Sequence, residues 1–294
     1  MDSSVVSWYE HIDMEELTVG ATFADHRILG VAGRGAMGTV FRAHHLKLDR
    51  EVALKVIAPE LSEDREFRIR FQREYEAEVS IRHPNVVRVY GAGAKNGRLY
   101  VTMQYVNGSD LAKLLAGGRR LPPAYAARLI AQVADALDAA HAVGIVHRDV
   151  KPANILIEGE GDAARCILTD FGLMKNVNAS AAPLTQAGSF LGSCDYAAPE
   201  QLLGERSIDA RVDIYALGCV LYQAVTGEVP FPRPVSAATM MAHIDQPPPS
   251  ISEHAPDAPP ALDAVVRTAM AKDPDERYPT AGALGRAALT ATRS

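Results

Sequence analysis

The residues with the chemistry to react lie close together, between Ile145 and Gly172 of this 294-residue chain. Asp149 can accept a proton, and Lys151, two positions on, can hold a negative charge. Asn154 offers a neutral oxygen to a metal, and Asp170 a charged one. An acid, a cation and two oxygen ligands at these spacings suit phosphoryl transfer, where catalysis is mostly positioning and charge stabilisation.

Elements on either side of this stretch must position it. From about Phe23 the pattern is strand-like, and Arg27-Ile28-Leu29-Gly30-Val31 leads into Gly33-x-Gly35-x-x-Gly38 and then Thr39-Val40-Phe41. A dinucleotide-binding glycine motif would open a helix. Here a β-prone run follows, so two strands joined by a glycine loop fit better. Glycines let a backbone approach phosphate oxygens without Cβ clashes. Val52-Ala53-Leu54-Lys55 is a further apolar strand, ending in a lysine. Residues 63–82 are charged, with Phe67, Phe71, Val79 and Ile81 at helical spacing. Val86–Tyr90 and Leu99–Val106 read as strands, broken by Asn107-Gly108-Ser109-Asp110, where Asp110 reads as the cap of the next helix. Ala124–Val143 is an alanine-rich helix stopped by Gly144. Residues 170–200 form a long loop, Val212–Thr226 a continuously apolar helix, and 247–260, with six prolines, an irregular connection. Helices over Ala261–Ala271 and Ala281–Thr290 close the chain.

With these elements in order, the sequence resembles protein kinases over about residues 22–290. His147-Arg148-Asp149…Asn154 is similar to their catalytic loop and Asp170-Phe171-Gly172 to their metal-binding motif, and Ala198-Pro199-Glu200 closes the activation segment. Lys151 in Asp-x-Lys is the serine/threonine version. The glycine pattern, the catalytic loop and the alanine-rich helices look like bacterial, particularly actinobacterial, serine/threonine kinases. The resemblance implies an α+β, bilobal protein kinase-like fold. Its N-lobe, about 22–105, would hold an antiparallel sheet plus helix αC, and its C-lobe, about 107–290, would be mainly helical. Residues 1–21 would form an acidic leader, loosely packed or docking through Trp8.

The resemblance also implies roles. Gly33, Gly35 and Gly38 would cover the ATP phosphates, with Val40 and Ala53 above the adenine and Leu156 below. Val31 joins the ATP-binding set, Met103 is the gatekeeper, and Gln104 and Val106 would meet adenine through backbone groups. Lys55, paired with Glu74, would grip the phosphates. Glu78, one turn after Glu74 on the same face, stands where the family is usually apolar, as a rival partner for Lys55 or a packing defect. Asn154 and Asp170 would hold Mg²⁺, with Mn²⁺ as an alternative. Asp149 would orient the substrate hydroxyl and accept its proton, and Lys151 would offset charge on the γ-phosphoryl group. His147, Phe171, Asp213 and the Glu200–Arg277 pair are expected to be buried scaffold. Arg148 would pair with an activation-loop phosphate, with Thr185 and Ser189 as candidate acceptors. Ser193 reads as a contact for Asp149 and Lys151.

Composition narrows the partners. A net charge of −6 argues against nucleic-acid or anionic-membrane binding as the main task. Three cysteines without a Cys/His cluster argue against structural zinc and fit a reducing cytosol. No apolar run reaches the length of a membrane span, so the expectation is a cytoplasmic domain, membrane-anchored in the full-length protein if the chain continues past Ser294. The expected partners are proteins with Ser/Thr acceptors, and a second copy for phosphorylation in trans. A pseudokinase scaffold and a small-molecule phosphotransferase are the competing classes. ATP turnover separates the first, and the long activation segment argues against the second.

Overall fold

The computed structural model describes residues 17–35, 37–171, 194–205 and 208–293. The chain divides into two compact units, residues 1–69 with 89–105 and residues 70–88 with 106–294.

The first unit is built on an antiparallel sheet. Its strands are β1 (Thr22–Phe23), β2 (His26–Gly35), β3 (Gly38–His45), β4 (Arg50–Ile57), β5 (Val89–Lys95) and β6 (Arg98–Gln104), in the order β1-β2-β3-β4-β6-β5. Alternation decides which side chains go inside. Phe41, Ala43, Val52, Leu54 and Val56 join Phe23 and Ile28 in one apolar cluster. The register pairs Val40 with Lys55, and Ala53 with Met103. Directly opposed residues share a face, so these four lie on the face away from that cluster. The register of β2 against β3 slips between Ile28 and Gly30 and between Val31 and Gly33, bulges that the glycines make inexpensive. Helix α1 (Pro59–Glu63) is fastened to β6, where Ser62 Oγ accepts the Leu99 amide at 3.1 Å. Helix α2 (Arg65–Ser80) follows, its first turn capped by Asp64 Oδ1, which accepts the amides of Glu66 and Phe67. Phe67 and Phe71 are buried as their spacing predicts, but Val79 is 41% exposed. The unit boundary falls within α2, after Ile69.

The second unit is mainly helical. Strand β7 (Ser109–Asp110) runs into α3 (Leu111–Leu115), and Asp110 Oδ1 caps that helix by accepting the Lys113 amide at 2.8 Å. Helix α4 (Pro123–His141) buries Leu129, Ile130, Val133 and Leu137 along one stripe. Strands β8 (Ile155–Glu158) and β9 (Arg165–Leu168) complete a small sheet with β7. Then come α5 (Pro199–Leu202), α6 (Arg211–Thr226), α7 (Ser236–Asp245), α8 (Ile251–His254), α9 (Ala261–Ala269) and α10 (Ala281–Ala291). Almost every residue of α6 is buried, which makes it the centre of this core. Small residues let α10 approach α4 closely: a Cβ on Gly285 would lie 3.0 Å from Ala134 Cβ. The proline-rich 247–260 connection holds one helix the pattern did not show, α8, whose first turn is capped by Ser250 Oγ on the Glu253 amide. The strand read over Val86–Tyr90 starts later, at Val89. Residues 85–87 instead pair with β9, with Val87 N on Leu168 O at 2.9 Å and Leu168 N on Asn85 O at 2.8 Å. No helix among the described residues is long and apolar enough to cross a membrane.

Candidate active site

The reactive loop of the second unit is held by one carboxylate. Asp213, fully buried on α6, accepts the backbone amide of His147 at 2.8 Å and that of Arg148 at 2.7 Å. The same group takes His141 Nε2 at 2.8 Å. Arg148 has φ +62° and Asp170 φ +58°, a left-handed backbone unusual outside glycine. Such conformations cost about 1–3 kcal/mol each and persist only where neighbours fix them. For Arg148 those neighbours are Asp213 on its amide and Gln201, whose Nε2 donates to its carbonyl at 3.0 Å.

His147 is a buried strut. Its Nε2 donates to Thr169 O at 3.1 Å, its Nδ1 accepts the Asp149 amide at 3.3 Å, and its ring lies 4.7 Å from that of Phe171. One nitrogen donating and the other accepting describes a neutral imidazole. Burial favours the same state, holding the pKa below the usual histidine value although Asp213 and Asp149 pull it up.

This scaffold brings three predicted residues together. Lys151 Nζ lies 2.8 Å from Asp149 Oδ2. Asn154 Nδ2 donates to Asp149 O at 2.9 Å and to Asp149 Oδ2 at 3.2 Å. That turns the Asn154 Oδ1 to the opposite side of its amide. Asp170 follows directly on Thr169, whose amide donates to Asn154 O at 3.0 Å. Leu156 sits on β8, paired with Ile167 and Asp110. Val106 begins the turn before β7, its carbonyl accepting the Gly108 amide at 3.1 Å. Glu74 is half-buried on α2, while Glu78, four positions on, is only 6% exposed.

The remaining predicted residues belong to the first unit. Gly33, Gly35 and Gly38 lie on the β2–β3 hairpin, with Gly35 opposite Gly38 and Gly33 opposite Val40. Val31 is 49% exposed on β2. Ala53, Lys55 and Met103 are buried on β4 and β6, and Gln104 ends β6. The glycines differ in what requires them. Gly38 has φ +137°, and a Cβ there would lie 2.0 Å from Val56 O, whereas at Gly33 and Gly35 a Cβ would meet nothing within 4 Å among the described residues beyond the chain neighbours. Thr185, Ser189, Ser193, Gly172 and residues 1–16 of the leader lie outside the described residues.

Comparison with known proteins identifies the family. The profile of the protein kinase domain matches residues 26–286. The chain belongs to the protein kinase family. It is 43% identical over 279 residues to the serine/threonine-protein kinase PknJ of Mycobacterium tuberculosis, covering 94% of this chain and 47% of that protein. With PknE of the same organism it shares 42% identity over 272 residues, covering 92% of this chain and 47% of the relative. The chain thus spans about half the length of the curated relatives it matches. Among solved structures, the kinase domain of M. tuberculosis PknI superimposes with a TM-score of 0.76 at 31% identity, covering 95% of this chain and 100% of that one. The expected kinase fold class and the bacterial serine/threonine-kinase resemblance are therefore borne out. The family implies ATP and a divalent metal in general terms.

Several positioning residues were not singled out from the sequence. Gln132 on α4 accepts the Cys166 amide and donates to Ala164 O, and Asn85 Nδ2 donates to Cys166 O, so that β9 is clamped just before Asp170. Gln201, below Arg148, was missed as well. A lone amide carries no local signal, because its partners are set by the fold.

Proposed function

We propose that this kinase domain transfers the γ-phosphoryl group of ATP to serine and threonine hydroxyls of proteins, its own activation loop included. The observation that carries this reading is the Asp149 carboxylate held by the Lys151 ammonium and the Asn154 amide. Asp149 orients the acceptor hydroxyl and takes its proton as the bond to phosphorus forms. Lys151 offsets negative charge on the group in transfer.

Asn154 and Asp170 suit a divalent ion, because both present hard oxygens. Among the described residues there is no cluster of three or more His, Cys, Asp or Glu that would form a metal cage of protein side chains. That suits Mg²⁺, or Mn²⁺ in its place, since such an ion takes its other ligands from water and phosphate. When bound, the ion supplies charge neutralisation on the phosphate oxygens. In the first unit the side-chain-free positions Gly33 and Gly35 leave room for phosphates, and Lys55, held by Glu74 in the active state, binds them. Val31, Val40, Ala53, Met103, Gln104, Val106 and Leu156 are assigned to the nucleotide. Thr185, with Ser189 as the alternative, is assigned as the activation-loop phosphosite that Arg148 engages, reached in trans by a second copy. The domain is assigned to the cytoplasm.

The test is mass spectrometry of the purified protein after incubation with Mg-ATP, alone and with a protein substrate. Asp149→Asn should lower turnover about 10²–10⁴-fold and leave nucleotide affinity nearly unchanged. Equal turnover by the variant would show that Asp149 is misassigned. ATP binding without any transfer by the parent would make the domain a scaffold.

A further inference from the structure

The sheet of the first unit curls until strands from its two ends meet. In the strand order β3 and β4 lie between β2 and β6, yet the Thr102 hydroxyl on β6 donates to His26 Nε2, at the start of β2, at 2.9 Å. Nδ1 of that ring faces the carbonyls of Phe23 and Ala24, so the proton sits there and Nε2 accepts. At this seam opens a cavity of about 180 Å³, lined by His45, Tyr90, Tyr100 and Thr102. Asp25 and Lys47, both exposed, also line it and pair at 2.7 Å. The Arg50 guanidinium lies over the Tyr90 ring, 4.9 Å from its centre.

A cavity of roughly 150 Å³ can hold a benzene ring, so this one has room for one aromatic side chain. Its surroundings are polar as well as aromatic, which suits a ring with a polar edge better than an aliphatic chain. Thr102 Oγ1 and the Asp25 carboxylate are acceptors for an indole N–H, and Lys47 and Arg50 are cations for its face. We propose that the cavity is the docking site of this chain's own acidic leader, residues 1–16, and takes the ring of Trp8.

Place, reach and charge favour the leader over a separate partner. Leu17, the first described residue, packs against the apolar cluster that Tyr90 and Tyr100 also cover. The leader therefore joins the domain at this face. Trp8 is nine positions before Leu17. Extended chain advances about 3.3 Å per residue, so the ring can reach about 30 Å, more than six strands spaced about 4.8 Å apart. A tether this short holds a segment at millimolar effective concentration, against which any separate partner must compete. The leader carries five acids and no Lys or Arg. Lys47 and Arg50 give it opposite charge at the cavity, and Asp25, the one acid among the described lining residues, is already on Lys47.

Trp8 is the single tryptophan of the chain, so its fluorescence in the full-length sequence reports the site directly. The experiment measures emission maximum and acrylamide quenching for the parent, Gly91→Val and Lys47→Glu, each folded and in urea. Gly91 lines the cavity and pairs with Thr102, so the two share a face. A Cβ there meets nothing within 4 Å among the described residues beyond its chain neighbours, so a valine fills the cavity and leaves the sheet intact. Lys47 is exposed on a turn, where substitution is tolerated. The folded parent should show a blue-shifted Trp8 protected from acrylamide, to the same degree at every protein concentration. Gly91→Val should lower the docked-to-undocked ratio about tenfold. Lys47→Glu should lower it about fivefold. A Trp8 as open to acrylamide in the folded parent as in urea overturns the proposal. So does protection that either variant leaves unmoved, which places the ring elsewhere. Protection that grows with protein concentration overturns it too, because the occupant is then the leader of a second copy.

Discussion

Asp213 makes no contact with the reacting atoms in the proposed mechanism, yet it fixes the backbone that presents them. Two amides and an imidazole N–H converge on one buried carboxylate. Asp213→Asn offers one oxygen where two were used, and points an amide N–H₂ at donors. Losing an acceptor for buried amides should cost about 3 kcal/mol of stability, read as a lower urea midpoint with an unchanged m-value. Turnover should fall much further than ATP affinity, because the residue holds the loop and not the nucleotide. Reading Asp213, His147 and the Glu200–Arg277 pair as scaffold matches their burial. The ion pair is complete, with Arg277 Nη1 and Nη2 at 2.6 and 2.8 Å from the two Glu200 oxygens.

Among the elements, the β2–β3 hairpin separates two reasons for a glycine. Gly38→Ala places a Cβ against Val56 O in a backbone region that disfavours side chains, and should cost at least about 2 kcal/mol, measured by denaturant melts. Gly33→Ala and Gly35→Ala meet nothing within 4 Å among the described residues beyond their chain neighbours, so they should leave the melt within about 0.5 kcal/mol of the parent while raising the KM for ATP. The hairpin was legible because a glycine run followed by Thr-Val-Phe has strand chemistry on both sides. Helix α4 was legible from its apolar period, α6 from its continuously apolar run, and Asp110 from its place between a strand and a helix. Less local features were not. The bulges in β2 depend on pairing with β3, and helix α8 depends on Ser250 capping a turn inside a proline-rich stretch. The close contact of α10 with α4 needs Gly285 to meet Ala131 and Ala134, residues far away in the chain. Asp149, Lys151 and Asn154 come together as their short spacing suggested, whereas the Gln132 clamp on β9 exists only after folding.

At the scale of the whole molecule, acid sensitivity has a definable source in the second unit. His243 is fully buried, its Nδ1 on the Tyr215 hydroxyl at 2.9 Å and its ring 4.9 Å from that of Phe231. Lys272 donates to its carbonyl at 2.6 Å. Burial, with the Lys272 charge adding to it, lowers the His243 pKa to about 4, so the folded ring is neutral near pH 7. An unfolded histidine titrates near 6.5. Between these values the unfolded chain binds more protons, so His243 contributes stability that is full above pH 6.5 and is lost as the pH falls toward 4. From pH 7 to pH 5 the parent should lose about 2 kcal/mol more than His243→Gln, measured by urea melts at both values; equal losses would move the acid sensitivity elsewhere. The Asp213 anchor has a consequence in time as well as in space. A nascent chain that has emerged as far as Phe171 already carries Asp149, Lys151, Asn154 and Asp170. It lacks the carboxylate that sets them, which arrives 66 positions after His147. Since chains fold from the N-terminus as they leave the ribosome, the reactive groups are made first and their anchor later, and a translation product stopped between the two is chemically silent.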